Sequence, residues 1–374
     1  MQPVEARRLC PLGLTFTPPT GQYQSEDVLI PVSVITGFLG SGKTTLLRRL
    51  LADPRMATAA ILVNEFGEVA LDHLLLRKVD ENIALLNSGC LCCSVRDDLV
   101  ETLDDMHAKR ATGVLPQFDR VVIETTGLAD PAPIIHTLLT DESLTQAYWA
   151  TGMVATVDAV HGNGQLDSHP ESVKQAAMAD RLVLTKTDLV EPATLERLRG
   201  RLKAISPSAM LFEAALDFGP GPDVLFDANP FSTSGKVADV KRWLHAEGAG
   251  ETTHDHIHDE KRHDDRISTF CLTADSPLDW TRFTEWLALL LTNRGEQVLR
   301  VKGLLNIVGC SRPVVIHGVQ HVFYPPAELE GWPDGDRRSR IVFITQDLPG
   351  HGLAQSFAAV AAADSRAAPQ QPRD

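Results

Sequence analysis

Residues 31–51 read PVSVITGFLGSGKTTLLRRLL. Val32, Val34 and Ile35 form a short β-prone apolar run, and Gly37, Gly42, Lys43 and Thr44 then fit G-x-x-x-x-G-K-[ST] at every fixed position. Strand, glycine-rich loop and helix in that order make an anion cradle. Glycines let backbone N–H groups turn inward around phosphate oxygens, and the helix that follows offers its positive dipole end to the same anion. Gly37, Gly40, Ser41, Gly42, Lys43, Thr44 and Thr45 are therefore the expected nucleotide contacts, with Lys43 on the β- and γ-phosphates and Thr44 on Mg2+. A plain Gly-rich turn is the other reading, but the strand-loop-helix context stands against it.

A chain of 374 residues is long enough for two or three domains. Lys plus Arg total 35 against 49 Asp plus Glu, a formal charge of −14, which is the wrong sign for holding nucleic acid by counterion release. No apolar run approaches the roughly 18 to 20 residues that span a bilayer, and the N-terminus has no apolar leader core. The composition thus argues against nucleic-acid and membrane partners and for a cytoplasmic protein. Of six cysteines, Cys90, Cys92 and Cys93 fall within four residues, a clustering that suits metal or redox chemistry better than a disulfide framework.

Past the first helix, residues 59–63 read as a second buried strand leading into Asn64-Glu65-Phe66-Gly67-Glu68. Glu65 and Glu68, candidate metal ligands beside the thiols, follow a strand end, where a parallel sheet gathers its ligands, although a surface turn with solvated acids fits equally well. A helix starting near Ser94 and running to His107 would set the three thiols at its N-terminal end, where the dipole favours the thiolate. Three thiolates at C-x-C-C spacing can converge on one tetrahedral ion; a buried inert cluster, a redox pair and an iron–sulfur site are the competing readings.

Arg120-Val-Val-Ile123 is a third strand, tipped by Glu124-Thr-Thr-Gly127. An acid there reaches Mg2+ directly or through water, and Gly127 offers an N–H to the γ-phosphate and a hinge. Residues 152–158 and 179–184 supply two more strands. The second ends in Thr185-Lys186-Thr187-Asp188, where Asp188 could accept from the two donors of a guanine edge while the Lys186 stem packs on the base; a simple cap is the alternative.

The expected organisation is a flexible extension (1–30), a phosphate-loop domain (31–246), a His-rich linker (247–265), a small α+β domain (266–352) and a C-terminal tail (353–374). His254, His256 and His258 in the linker are either a solvated spacer or a weak, exchangeable metal site. The second domain is read from strands at 267–272, 298–308 (broken at Gly303), 314–324 and 340–345. A helix at 278–291 should bury Trp280, Phe283, Trp286 and Leu287 in its core.

With these elements in order, the chain resembles the CobW-like family of phosphate-loop GTPases, relatives of the nickel-insertion GTPases of hydrogenase and urease maturation. The resemblance is carried by GFLGSGKTT, NEFGE, SGCLCCS, ETTG, TKTD, the His-rich linker and the later VKGLLNIVG, GVQHVF and SRIVFI, over residues 31–350. It implies an α/β phosphate-loop domain with a mostly parallel sheet, followed by a small α+β domain. It also implies a GTPase that handles a transition metal, Zn2+ first, with Co2+ or Ni2+ as alternatives, and delivers it to a client metalloprotein; a homodimer is left open. Lys43, Thr44, Glu124 and Gly127 would serve hydrolysis, Lys186 and Asp188 guanine, and Cys90, Cys92 and Cys93 the metal. A metal-storage or homeostasis protein without turnover, and a cobalt-handling cofactor-assembly GTPase, are the alternatives. Thr185 stands where many GTPases have Asn, so a weaker loop-stabilising hydrogen bond is expected, and Val63 stands before NEFGE where some relatives carry Glu. No arginine finger or catalytic glutamine is identifiable, so slow turnover stimulated by a client is expected.

Overall fold

The computed structural model describes residues 29–63, 83–85, 94–226 and 266–364. They fall into two compact units, one reaching Phe226 and the other starting at Ser268.

The first unit is built on a seven-stranded sheet. Its strands are β1 (Ile30–Gly37), β2 (Ala59–Val63), β3 (Ile83–Leu85), β4 (Arg120–Glu124), β5 (Tyr148–Asp158), β6 (Arg181–Thr185) and β7 (Met210–Glu213). Their order is β3-β2-β4-β1-β5-β6-β7 and every neighbouring pair is parallel. Parallel strands need crossovers that cover both faces, so these strands are apolar on both sides rather than alternating. The burial of Val32, Val34, Ile35, Val121, Val122, Ile123, Leu182, Val183 and Leu184 follows from that. Helix α1 (Lys43–Leu51) packs Leu46, Leu47 and Leu50 against Ile35, Ile61, Val122 and Val154. Full burial of each such leucine contributes about 1.5–3 kcal/mol. The chain reverses direction across the sheet at β1, with β4 on one side and β5 on the other, so the loop after β1 opens at a topological switch point.

Helix α2 (Ser94–Ala111) extends four residues past the expected end at His107 and buries Leu99, Leu103 and Met106. After β4 come α3 (Ala132–Thr140) and α4 (Glu142–Ala147), the latter capped by Asp141, whose Oδ1 accepts from Ser143 N at 3.1 Å. After β5 come α5 (Gly162–Ser168) and α6 (Pro170–Met178), and after β6 comes α7 (Pro192–Ile205).

The second unit holds a six-stranded sheet of β8 (Ile267–Ala274), β9 (Val298–Leu305), β10 (Val314–Val319), β11 (Val322–Phe323), β12 (Ala327–Glu328) and β13 (Ser339–Gln346), in which β9 pairs antiparallel with β10 on one side and β13 on the other. Helix α8 (Trp280–Arg294) starts at Asp279, whose Oδ1 accepts from Arg282 N at 3.0 Å, and buries Phe283 and Leu287 with Trp280 and Trp286 packed beside them, as its pattern predicts.

Two expectations are corrected. Strand β9 runs unbroken through Gly303, which pairs with Ile316 and Ile341; the apolar neighbours on both sides carry the strand through it. The C-terminal tail does not begin at 353. Residues Gly350–Asp364 form helix α9, and Leu353 and Phe357, one turn apart, enter the core against Trp286 and Phe343. An alanine-rich stretch with little polarity reads as low complexity, but alanine is the best helix former and two apolar anchors at i, i+4 suffice to seat it. The His-rich linker and residues 1–28 lie outside the described residues.

A candidate nucleotide-binding site

Strand β1 ends at Gly37, whose φ of 138° lies outside the range of ordinary L residues. A Cβ there would come 2.4 Å from both the carbonyl and the hydroxyl oxygen of Thr156 on β5, so only glycine permits the loop to leave the sheet this close to its neighbour. Gly40 and Gly42 also take left-handed backbone, and Gly42 opens α1. Ser41 is fully buried, its Oγ 2.6 Å from Thr156 Oγ1. Lys43 folds back into the loop, where Nζ donates to the carbonyls of Gly37 at 2.8 Å and Phe38 at 3.2 Å. Thr45 is exposed in the first turn of the helix.

Thr44 Oγ1 donates to Glu124 Oε1 at 2.6 Å, joining the first turn of α1 to the tip of β4 eighty residues away. Glu124 is 4 % exposed. Its strand is pinned beside β1 by Ile35 and beside β2 by Val63 in register, and Thr125 N donates to Ile35 O at 2.9 Å. A hydroxyl and a carboxylate this close form a hard-oxygen pair of the kind Mg2+ takes, so these two residues fit the ion expected there. Gly127 lies against the phosphate loop: a Cβ on it would stand 2.7 Å from the backbone N and Cα of Leu39.

The strand end after β6 closes the other side. Thr185 Oγ1 donates to Ser41 O at 2.7 Å, so a bond across the two loops is present without the amide many GTPases use. Lys186 takes left-handed backbone, φ 57°, and its Nζ donates to Gly40 O at 2.9 Å and to Asp158 Oδ2 at 2.6 Å. Asp158 is 1 % exposed and also accepts from Val160 N at 2.8 Å, with His161 Nδ1 3.0 Å away. Burial pushes the Asp158 carboxyl upward, but the hydrogen bonds from Lys186, His161 and Val160 outweigh it and hold the group below its ordinary value. Asp188 is exposed in the turn Thr187–Leu189.

The structure therefore gathers Gly37, Gly40, Ser41, Gly42, Lys43, Thr44, Glu124, Gly127 and Lys186 around one loop. Glu65, Glu68, Cys90, Cys92, Cys93, His254, His256 and His258 lie outside the described residues. Among the described residues there is no group of three or more His, Cys, Asp or Glu arranged to hold a metal. Asp158 and Thr156 belong to this site although neither sits in a recognisable motif. A carboxylate closing an apolar strand, one strand from the phosphate loop, was the available signal for Asp158.

Residues 31–213 match a family model described as CobW/HypB/UreG, nucleotide-binding domain, and residues 267–361 match the cobalamin synthesis protein CobW C-terminal domain. The zinc chaperone YjiA of Escherichia coli is 35 % identical over 88 % of this chain and 98 % of its own length. The zinc-regulated GTPase metalloprotein activator 1 of Saccharomyces cerevisiae is 30 % identical over 88 % of this chain and 83 % of its own. Among solved structures, the Zn(II)-bound YjiA GTPase of E. coli superposes with a TM-score of 0.64 at 30 % identity, covering 89 % of this chain and 99 % of that one. No helix of the described residues is long and apolar enough to cross a membrane. Two matched family models and a relative 35 % identical over most of both chains establish that this chain belongs to the CobW/HypB/UreG family.

Proposed function

We propose that this protein binds and hydrolyses GTP and uses the nucleotide cycle to hold and release a transition metal, Zn2+ in the first instance, for a client metalloprotein. The 2.6 Å bond between Thr44 and Glu124 carries the hydrolytic half of the reading. It brings together, at the mouth of a phosphate loop, the two oxygen donors that would hold Mg2+ beside a γ-phosphate. Mg2+, when bound, neutralises charge developing on the transferred phosphoryl oxygens. Lys43 would exchange its two backbone carbonyls for β- and γ-phosphate oxygens, and Lys186 and Asp188 would face guanine.

The metal half rests on the C-x-C-C thiols Cys90, Cys92 and Cys93 and on the relatives, which are named zinc chaperone and zinc-regulated GTPase metalloprotein activator. Strands β2 and β3 end in register at Val63 and Leu85, with Val63 next to Glu124, and the segments bearing Glu65, Glu68 and the thiols follow in sequence. GTP is proposed to order these segments and Gly127 into a tight metal site, which hydrolysis loosens. The nucleotide can drive release only through unequal metal affinity in its two states.

The test is phosphate release from GTP by the purified chain, with Zn2+ affinity measured by chelator competition in the presence of a GTP analogue or GDP. Turnover together with tighter Zn2+ binding in the analogue state is expected. Equal affinities would end the coupling, and metal binding without turnover would leave a storage protein.

A further inference from the structure

Gln175 on α6 is 1 % exposed, and its side-chain amide hydrogen-bonds to the turn that leaves Glu124. Its Nε2 donates to the carbonyls of Gly127 at 3.2 Å and Ala129 at 3.0 Å. Two carbonyl acceptors at one end fix the orientation of the amide, because the flipped form would set its oxygen against both of them. Its Oε1 is buried and has no hydrogen-bond partner among the described residues, so the side chain is committed to the turn from one end only. The preceding residue does related work: Lys174 Nζ pairs with Asp130 Oδ2 at 2.5 Å.

The turn has its own internal bonds. Thr126 O accepts from Ala129 N at 3.2 Å and from Thr125 Oγ1 at 3.2 Å. Across a trans peptide the N–H points opposite to the carbonyl, so the Gly127 N–H faces away from the turn's interior. The peptide before Gly127 is thereby set by the turn and the one after it by Gln175, while Gly127 itself rests on Leu39 of the phosphate loop. The far end of the same helix is tied to that loop as well, where the ring of His169 stacks on Phe38 with centroids 4.5 Å apart.

We propose that Gln175 is the positioning residue of the Gly127 turn, holding it in the conformation that meets a γ-phosphate and so setting discrimination between GTP and GDP. The proposal rests on the nucleotide reading above. GDP lacks the group that would reach this turn, and its affinity should depend on the phosphate loop and Lys186 instead.

The experiment compares the full-length chain with Gln175→Leu and Gln175→Glu. It measures GDP and GTPγS affinities with Mg2+ by fluorescent-nucleotide competition, alongside kcat and KM for GTP. Gln175→Leu should lower the GTPγS-to-GDP affinity ratio and kcat by about tenfold each, with GDP affinity kept within about twofold. Gln175→Glu should lose as much at pH about 8 and recover as the pH falls toward about 5.5, because only a protonated carboxyl can donate to these carbonyls and burial raises its pKa. A residue that merely fills space would give no such recovery. An unchanged ratio in Gln175→Leu, or GDP and GTPγS affinities falling together, would overturn the proposal; if the leucine variant does not fold, the glutamate variant's pH dependence decides alone. A wild-type chain that discriminates the two nucleotides without turnover would sink the hydrolytic reading and leave Gln175 to be judged on the ratio. One that does not discriminate them sinks the Gln175 proposal itself.

Discussion

Lys186 brings its ammonium within 2.6 Å of Asp158 Oδ2 while reaching Gly40 O at 2.9 Å, so one side chain spans the strand end after β6, the strand end after β5 and the phosphate loop. Its left-handed backbone, uncommon for a lysine, is held by those two bonds.

Asp158→Asn keeps the shape of this junction and removes its charge. Nucleotide affinity should fall by about tenfold, read by fluorescent-nucleotide titration, since bonds to charged groups contribute about 1.5–3 kcal/mol. The wild-type carboxyl is held below its ordinary value, so its stabilising effect is full above the ordinary carboxylate range and is lost as pH falls through the lowered value. The melting-temperature gap between wild type and Asp158→Asn should therefore persist at neutral pH and close below about pH 4. A gap that widens on acidification would contradict the assignment.

Glu124→Gln retains an oxygen for the Thr44 hydroxyl and loses the carboxylate. Nucleotide binding should survive within a few-fold, whereas GTP turnover should drop by on the order of 100-fold and no longer respond to Mg2+ titration. Phosphate release across a Mg2+ series checks this. Turnover at the wild-type level would move the Mg2+ site elsewhere.

Cys92→Ala and Cys93→Ala each remove one thiol from the proposed three-thiolate set. Tight Zn2+ binding should be lost by chelator competition, while GTP binding changes by less than about threefold, because the phosphate loop supplies its own contacts. Retention of both activities would place the metal on other residues.

Phe357→Ala tests the seating of the last described helix. The ring is 2 % exposed and lies 5.2 Å from that of Trp286, so its removal should cost about 3–5 kcal/mol in the second unit, read by urea denaturation. A free tail would tolerate the change within about 0.5 kcal/mol.

What could be read from residue order alone was whatever depends on neighbours in sequence. The strand, loop and helix at residues 30–51, the acid tipping β4 and the Thr185–Asp188 tetrapeptide carry their chemistry within a few positions, and each stands where its pattern requires. Gln175 carries none locally: its acceptors lie 48 and 46 residues back, on a turn whose nearness depends on how β4, β5 and α6 pack. Asp158 reads as the last residue of an apolar strand until Lys186 reaches it from 28 residues on. The helix at Gly350–Asp364 is illegible for the opposite reason: its composition is simple, and the anchors Leu353 and Phe357 have meaning only against the core they enter.

Thr185 has a single hydroxyl proton and two carbonyls in reach, Ser41 at 2.7 Å and Val157 at 3.3 Å. A neutral tether of that kind is indifferent to ionic strength and to protonation, unlike the Lys186–Asp158 pair beside it. Acid acting on the pocket would thus loosen the ionic tie first and leave the uncharged stitch closed, so the two ties of this one rim would part in sequence and not at once.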